Sequence, residues 1–207
     1  MIRLYDYLGS GNGYKVRLLL AQLAIPYDWT ELDIDRGETR TPEFLARNPN
    51  GRIPALQLED GTCLAESDAI LWYLAEGTPF IPEGRLQRAQ VLQWMFFEQY
   101  SHEPFVATPR YILHHLAADH PRRAELPERL AKGRAALAVM DAHLARTPFF
   151  VDARYSIADI ALYAYTHVAH EATLDLAPFA AVRAWLARCA AQPRHVPITL
   201  RPGGRGA

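Results

Sequence analysis

Four residues between Asn48 and Glu76 have types and positions that suit the binding of a small peptide-like molecule. Ile53 and Pro54 stand at the head of an expected strand, where a cis X-Pro bond would turn the backbone polar groups of Ile53 away from the sheet. Glu66 and Ser67 stand at an expected helix start, with Ser67 as the N-cap, where unpaired N–H groups and the helix dipole favour an anion. The carboxylate of Glu66 also suits an ammonium group. An extended backbone edge is therefore expected beside a place for an amino-acid head group that carries both charges.

The elements that must position these residues alternate between strand and helix. Period-two and helical spacing predict, in order, a strand over 2–7, a helix from 14 to 25, a strand over 27–34, a helical turn over 42–46, a hairpin, and a helix after residue 66. The hairpin is expected to have a two-residue turn, because Asp60-Gly61 carries the Asp-Gly signal. This order is typical of a small mixed sheet with helices on both faces, as in a thioredoxin-like layer.

The rest of the chain has a helical pattern, which begins after a linker over 78–85 that is rich in proline and glycine. Helices are expected from about residue 86, from 127 to 144, after the capping pattern Ser156-x-x-Asp159, and from 178 to 191. Pro104 and Pro109 are expected to bend or break the first of these helices. We therefore predict an α/β domain over 1–77, an all-helical domain over 86–200 and a disordered tail over 201–207.

Composition argues against several classes of function. The chain has 207 residues, of which 50% are hydrophobic, enough for one large core or two small ones. A net charge of −1 gives no electrostatic case for nucleic acid, and no apolar run approaches the roughly 20 residues of a membrane span. Cys63 and Cys189 form no metal-spaced cluster with histidine and are expected to be reduced, buried thiols. The same spacing gives no reason to expect a bound metal. The start of the chain has no signal-peptide pattern, so we expect a cytoplasmic protein.

The residues around the proline and the acidic helix start resemble the glutathione-binding half of the cytosolic glutathione transferase family. The segments that carry the resemblance are NPNGRIPAL and LAESDAILWYLAE. In that family, the residue before a cis-proline pairs with the cysteinyl backbone of glutathione, and an acidic residue followed by Ser or Thr holds the γ-glutamyl end. The resemblance assigns the first role to Ile53 with Pro54 and the second to Glu66 with Ser67. It also implies the glutathione transferase fold, an α/β thioredoxin-like N-terminal domain plus an all-α helical C-terminal domain, and a homodimer.

The same resemblance places the catalytic group in the glycine-rich loop over 9–13. The run Ser-Gly-Asn-Gly-Tyr-Lys is similar to the Thr-Pro-Asn-Gly-His-Lys pattern of bacterial nu-type members, which reduce disulfides through glutathione. Ser10 is then the hydroxyl that hydrogen-bonds the glutathione sulfur, and Asn12 is a second donor. A hydrogen bond to a charged acceptor contributes about 1.5–3 kcal/mol, which lowers a thiol pKa by roughly one to two units. Tyr7 is the alternative hydroxyl if Ser10 does not fill this role.

Two further groups of residues are candidates for the remaining parts of a complex with glutathione and a second substrate. The glycyl carboxylate has three candidate partners in the loops of the first domain: Arg52, Thr39 and Arg40. Three aromatic residues are candidates to line an apolar electrophile site against the helices that follow the linker: Tyr100, Phe105 and Tyr111. His102 is interpreted as an exposed or capped residue and is left out of the catalytic group.

Three functions stay open. The first is a glutathione S-transferase with a role in detoxification, which activates the thiol as a thiolate for attack on an electrophile. The second is a glutathione-dependent disulfide reductase or peroxidase of the nu type, and the third is a non-catalytic glutathione-binding stress or partner-binding module. A dinucleotide-binding domain is disfavoured, because the glycine spacing is Gly-x-Gly-x-Gly and the strand-helix alternation stops at the linker.

Overall fold

The computed structural model describes residues 1–203, which form two compact units. The first comprises Met1–Glu76 together with the segment from Pro193, and the second comprises Gly77–Gln192. Residues 193–200, which the sequence pattern groups with the helical domain, therefore return to the first unit. The tail that we expected to be disordered is described over 201–203, and 204–207 lie outside the described residues.

The first unit is a mixed four-stranded sheet with helices on both faces. Its elements are, in order, β1 (Arg3–Asp6), α1 (Gly11–Leu23), β2 (Asp28–Glu31), α2 (Pro42–Arg47), β3 (Ala55–Gln57), β4 (Cys63–Ala65) and α3 (Ser67–Ala75). The strand order is β2-β1-β3-β4, with β1 and β2 parallel and β3 antiparallel to both of its neighbours. The predicted order of elements is confirmed.

Side chains of β1 alternate between the two faces of the sheet, as the period of a strand requires. Leu4 packs with Val16 of α1 and Ile70 of α3 in a fully buried cluster, so these two helices cover one face. Tyr5 points to the other face, where it packs against Phe44 of α2 with the ring centroids 6.1 Å apart. The two helices that carry candidate binding residues at their N-termini therefore lie on the same face of the sheet.

Helix α1 begins earlier than the sequence pattern predicts. It starts at Gly11 and not at Tyr14, because the Ser10 side chain accepts a hydrogen bond from Gly13 N and caps the helix. The first turn also approaches β1 closely. A Cβ atom at position 13 would overlap with the buried carboxylate of Asp6, so glycine is required there.

The turn between β3 and β4 is longer than the two residues we predicted from Asp60-Gly61. Leu58 N donates to Thr62 O at 2.8 Å, and Gly61 N donates to Leu58 O at 3.0 Å, which leaves a three-residue loop. Such loops usually end in a left-handed residue, and Gly61 has a φ of +88°. The Asp-Gly pair therefore predicted the hairpin correctly and its loop length wrongly.

The second unit is built from α-helices. They are α4 (Arg85–Phe97), α5 (Glu103–His115), α6 (Leu126–Leu144), α7 (Ile157–Thr166) and α8 (Ala180–Ala190). A π-helical turn over Glu98–His102 joins α4 to α5, and short 3-10 helices occupy Pro121–Glu125 and Ala169–Ala172. Helix α7 is buried along its whole length and forms the core of this unit. Among residues 1–203, none of the helices has both the length and the apolarity that a membrane crossing requires.

The predicted capping pattern fixes the start of α7. Asp159 accepts hydrogen bonds from the backbone N and the hydroxyl of Ser156 at 2.9 and 3.1 Å. Its second oxygen accepts from Phe150 N at 3.2 Å and from Trp185 Nε1 at 2.9 Å. Burial raises the pKa of Asp159 to about 6, against the effect of these donors. The pattern is structural, as predicted, because its partners all belong to the core of the second unit.

The expected interruption of the first long helix is found next to Pro104 but not at Pro109. Pro104 lies in the first turn of α5, directly after the π-helical turn, whereas Pro109 stays inside a continuous helix. His102 is fully buried, with Nε2 2.9 Å from Thr166 Oγ1, so its interpretation as an exposed residue is wrong; it occupies the N-cap position of α5 without a side-chain capping bond. The Thr166 hydroxyl donates its proton to Leu162 O and therefore accepts from His102 Nε2–H. The wider π-helical turn directs His102 into the core instead of into solvent.

Candidate active site

The first feature of the site is the Ser10 hydroxyl at the N-terminus of α1. Ser10 has extended φ and ψ angles of −74° and 125°, and its Oγ accepts a hydrogen bond from Gly13 N at 3.2 Å. Because a hydroxyl has one proton and two lone pairs, this capping bond orients the side chain and leaves the proton for another acceptor. The backbone of Ser10 is held as well, since its N–H donates to Tyr7 O at 2.9 Å. The arrangement can stabilise an anion by a hydrogen bond at the positive end of a helix dipole.

A network of polar side chains joins the first turns of α1 and α3. Ser67 Oγ donates to Asn12 Oδ1 at 3.2 Å and accepts from Lys15 Nζ at 3.3 Å. Lys15 Nζ also pairs with Asp68 Oδ1 at 3.2 Å, and the Lys15 side chain is fully buried. Since its carbonyl is used by Ser67, Asn12 is oriented with its Nδ2–H₂ group as the donor side. The predicted catalytic pair and the predicted γ-glutamyl site are therefore neighbours in the fold.

The Ile53–Pro54 peptide bond is cis, as the sequence predicts. The ladder of β3 begins only at Ala55, which pairs with β1 on one side and with Ala65 of β4 on the other. The backbone polar groups of Ile53 therefore lie outside the ladder, where an extended peptide can pair with them. Continued by two residues, the β3–β4 register places Ile53 opposite Ser67. The backbone edge and the start of α3 are thus side by side.

Glu66 occupies an uncommon backbone conformation at the junction of β4 and α3. Its φ and ψ angles are 67° and 114°, and it stands at the N-cap position without a side-chain capping bond. Ser67, which we expected to be the N-cap, is the first helical residue, because its hydroxyl is bound to Asn12 and Lys15 instead of the helix N–H groups. A positive φ costs a non-glycine residue about 1–3 kcal/mol and is typical of functional sites. Here it leaves the Glu66 carboxylate exposed beside the helix N-terminus.

The three candidates for the glycyl carboxylate lie close to one another. The 3-10 helix Glu38–Arg40 packs against Gly51, where an added Cβ would lie 2.6 Å from Arg40 Nη1 and 2.9 Å from Thr39 O. Arg40 Nη1 donates to Asn50 O at 3.0 Å, and both Arg40 and Arg52 are exposed. Thr39 is buried at 6% exposure, so only the two guanidinium groups are placed to reach a ligand from solvent.

A buried ion pair between the end of β1 and α1 stabilises the loop that joins them. Arg17 Nε donates to Asp6 Oδ2 at 2.8 Å, and the two side chains are 2% and 0% exposed. Asp6 Oδ1 accepts from Tyr7 N at 2.7 Å. Burial raises the pKa of the Asp6 carboxyl to about 6, while the Arg17 guanidinium acts to lower it. The Tyr7 ring lies beside Gly9, so the alternative hydroxyl borders the same loop as Ser10.

The aromatic candidates for the electrophile site separate into two groups in the second unit. Tyr100 and Phe105 line a cleft of about 640 Å³ between the π-helical turn, α5 and α6. Ala136 and Val139 of α6 form part of its opposite wall. Tyr111 lies elsewhere and stacks on His115 with ring centroids 4.9 Å apart. Tyr111 is six positions after Phe105, which turns it about 240° around α5, away from the cleft.

Sequence reasoning missed the buried residues that hold the site together. Lys15 had a visible signal, because a lysine in the apolar run from Tyr14 to Leu20 must find a buried partner. Asn48 donates to Arg52 O at 2.7 Å and accepts from Asn50 N at 3.1 Å, so it shapes the turn before the cis bond. Its signal was the Asn-Pro-Asn-Gly run, which is rich in turn formers. Over residues 1–203, no group of three His, Cys, Asp or Glu side chains is arranged to hold a metal ion.

Comparisons with known proteins point to a single family. The family models described as "Glutathione S-transferase, N-terminal domain" and "Glutathione S-transferase, C-terminal domain" match residues 9–76 and 94–193. Disulfide-bond oxidoreductase YfcG of Escherichia coli (strain K12) is 32% identical over 200 residues, which cover 93% of this chain and 92% of that protein. The structure of a glutathione S-transferase from Pseudomonas fluorescens Pf-5 is 51% identical with a TM-score of 0.93, covering 95% of this chain and 98% of its own. A further Pf-5 structure, of a glutathione transferase family member with two glutathione bound, is 27% identical with a TM-score of 0.82, covering 93% of this chain and 89% of its own.

Proposed function

Because this chain belongs to the glutathione S-transferase family, we propose that it binds glutathione and activates the thiol as a thiolate for attack on a second substrate. The observation that carries the proposal is the Ser10 hydroxyl, which accepts its capping bond from Gly13 N and so keeps its proton for a sulfur anion. Asn12 supplies the second donor, oriented by its bond to Ser67. The dipole of α1 adds a smaller contribution of about 0.3–1 kcal/mol.

The remaining residues bind the ends of the glutathione molecule. The backbone of Ile53, before the cis-proline, pairs with the cysteinyl residue. Ile53 lies opposite Ser67, and Ser67 bonds to Asn12, so we expect the thiol beside the first turn of α1. Glu66 and the N-terminus of α3 at Ser67 hold the ammonium and carboxylate of the γ-glutamyl end. Arg40 or Arg52 meets the glycyl carboxylate, with Thr39 as a packing residue beneath them.

The energetic demand on Ser10 is modest. A free thiol has a pKa of about 8.5 and is a few per cent ionised at neutral pH. One hydrogen bond to the anion contributes about 1.5–3 kcal/mol, enough to lower this pKa by roughly one to two units. Ser10 therefore acts as a stabiliser of the thiolate, and the proton leaves to solvent without a protein base.

Disulfide reduction is the reaction that we favour within this class. The support is the likeness over nearly the whole chain to a protein named as a disulfide-bond oxidoreductase, and to a family member solved with two glutathione molecules. The thiolate of one glutathione attacks a disulfide sulfur, and the other sulfur leaves as a thiolate that takes a proton from solvent. The thiolate of a second glutathione then attacks the mixed disulfide, which releases glutathione disulfide and the second substrate thiol. Conjugation to an electrophile uses the same thiolate and remains the alternative reaction.

The test is the titration of the bound glutathione thiol, followed by the ultraviolet absorbance of the thiolate. Ser10→Ala is expected to raise the thiol pKa by roughly one to two units and to lower kcat/KM at neutral pH by about tenfold or more. Ser10→Thr is the matched control, because threonine keeps both the hydroxyl and the capping bond. A titration that is unchanged in Ser10→Ala would remove Ser10 from the role, and Tyr7→Phe would then be the variant to measure.

The non-catalytic alternative is separated from the enzyme by a panel of second substrates. Turnover of a mixed disulfide, an aromatic halide or an organic peroxide supports the enzyme and ranks its reactions. Tight glutathione binding without turnover of any of them would favour a binding module. The absence of binding would contradict the roles given to Pro54, Glu66 and Ser67.

The site that binds the second substrate and the oligomeric state are also proposals. We place the electrophile or disulfide against the Tyr100–Phe105 cleft, because its volume and apolar walls suit a small organic molecule. Large apolar side chains are exposed on α3 and α4, where Tyr73 is 52% and Phe96 is 68% accessible. Such residues are typical of an interface, and we propose a homodimer, measurable as a doubled mass by light scattering.

A further inference from the structure

The segment after Pro193 is bound along α1 by buried side chains. Tyr14 Oη donates to Val196 O at 2.7 Å, and Arg17 Nη1 donates to Ile198 O at 2.8 Å. Tyr14 and Arg17 are 0% and 2% exposed, so both are committed to these contacts. The bonds are made to backbone carbonyls, which fixes the path of the segment independently of its side chains.

The same guanidinium also holds the loop that carries Ser10. Arg17 Nη2 donates to Leu8 O at 2.6 Å, while Nε donates to the Asp6 carboxylate at 2.8 Å. One planar group therefore bonds to the end of β1, to the loop after it and to the returning segment. Because the guanidinium presents its donors in a rigid fork, a displacement of any one partner changes the geometry of the hydrogen bonds to the others.

A second side chain connects the loop and the returning segment from the β2 side. Glu31 Oε1 accepts from Leu8 N at 3.4 Å, and Glu31 Oε2 accepts from Arg201 Nη1 at 2.6 Å. The Arg201 guanidinium also lies over the Trp29 ring, 5.6 Å from its centroid. Both backbone polar groups of Leu8 are thus held by side chains that simultaneously bind the segment over 196–201.

We propose that this returning segment is a positioning element for the thiolate donor. Ser10 lies two residues beyond Leu8, and its hydroxyl must meet the sulfur within a few tenths of an ångström to deliver a full charge-assisted hydrogen bond. Arg17, Glu31 and Arg201 are positioning residues, which act through the loop and do not touch the substrate. The inference rests on the proposed function of Ser10 and extends it to a part of the chain that lies about 190 residues away in sequence.

The first test compares two arginine substitutions in the same segment. Arg201→Gln removes the ion pair with Glu31, whereas Arg194→Gln removes the same charge from an exposed side chain outside the network. Arg201 is 62% exposed, so the expected loss of kcat is about two- to fivefold, with the thiol pKa raised and the glutathione dissociation constant little changed. Arg194→Gln is expected to match the wild type. Equal effects of the two substitutions, or a wild-type thiol pKa and kcat in Arg201→Gln, would overturn the proposal.

Two further measurements separate positioning from general stability and from a failure of the proposed function. In a double-mutant cycle, Glu31→Gln and Arg201→Gln are expected to be non-additive in kcat, because both substitutions remove the same ion pair. Hydrogen exchange of the Leu8 amide in the ligand-free protein is expected to be faster in Arg201→Gln than in Arg194→Gln. This readout does not depend on glutathione. If Leu8 exchanges faster in Arg201→Gln but no variant forms a thiolate, the proposed function of Ser10 is rejected and the positioning of the loop is not. If the exchange of Leu8 is unchanged in Arg201→Gln, the positioning role is rejected.

Discussion

Replacement of Lys15 by methionine tests the polar network that joins α1 to α3. The ammonium group lies between Ser67 Oγ at 3.3 Å and Asp68 Oδ1 at 3.2 Å, and the Lys15 side chain is fully buried. Methionine has a similar volume, so the substitution removes the charge and the hydrogen bonds with little change in packing. The carboxylate of Asp68 would be left without the Lys15 cation, and Ser67 would lose the donor that orients it.

The expected cost follows from the burial of the two partners. Removal of one member of a buried ion pair costs about 3–5 kcal/mol, because the charge left behind is poorly solvated. The Asp68 side chain is 14% exposed while that of Lys15 is fully buried, which places the expected loss at the lower end, about 3 kcal/mol. Glutathione affinity is expected to fall about tenfold, the equivalent of one hydrogen bond of about 1.4 kcal/mol at Ser67.

The assay is urea unfolding of Lys15→Met together with isothermal titration of glutathione. Lys132→Met is the matched control, because Lys132 pairs with Glu128 at the surface with exposures of 54% and 75% and is expected to change stability by less than about 1 kcal/mol. Addition of Asp68→Asn to Lys15→Met removes the carboxylate charge that Lys15 neutralised and is expected to recover part of the loss. Equal losses in the two methionine variants, or full additivity with Asp68→Asn, would refute the reasoning.

Two simpler predictions address the first unit and the cysteines. Gly13→Ala is expected to cost about 3 kcal/mol in thermal or urea unfolding, because its Cβ would overlap with the buried Asp6 carboxylate and break that group's ion pair, whereas Gly9→Ala meets only a side-chain ring; equal losses would contradict this. An aromatic disulfide reagent is expected to titrate the half-buried Cys63 in the native protein, and Cys189 only in denaturant, because Cys189 is fully buried and burial raises its thiol pKa. Rapid reaction of both thiols in the native state would show that the second unit opens locally.

Local chemistry was sufficient to predict the order of the strands and helices around the sheet and the cis bond. Pro54 follows a turn-forming run and precedes a short strand, and these two facts alone placed the cis peptide bond that the structure contains. The helix after residue 66 was predicted from its apolar spacing, but its N-cap is Glu66 and not Ser67, and the positive φ of Glu66 was not predicted. The start of α1 was missed because its first turn contains Gly11 and Gly13, which have poor helix propensity, and the capping bond of Ser10 outweighs that preference.

The interactions that sequence reasoning could not predict are those between residues distant in the chain. The contact between Lys15 and Asp68 joins two helices that are separated in sequence by three strands and α2, and its register depends on how both helices pack on β1. The return of the segment at Arg201 to Glu31 spans 170 residues and has no periodic pattern. The segment from Arg201 is rich in proline, glycine and arginine, a composition from which we predicted disorder. At Arg201, however, the ion pair with Glu31 and the contact with the Trp29 ring bind the side chain to the first unit.

Helix α1 organises the candidate site because its first two turns present different faces to different partners. Asn12 and Lys15 are three residues apart and therefore share a face, which contacts the start of α3. Tyr14 and Arg17 have the same spacing but lie about 200° around the helix, where they bind the returning segment and the loop after β1. Substitution of Lys15 on the first face is thus expected to weaken glutathione binding, whereas substitutions on the second face are expected to misplace Ser10 and lower kcat. A substitution at Arg17 that weakened binding and left kcat unchanged would contradict this division of the helix.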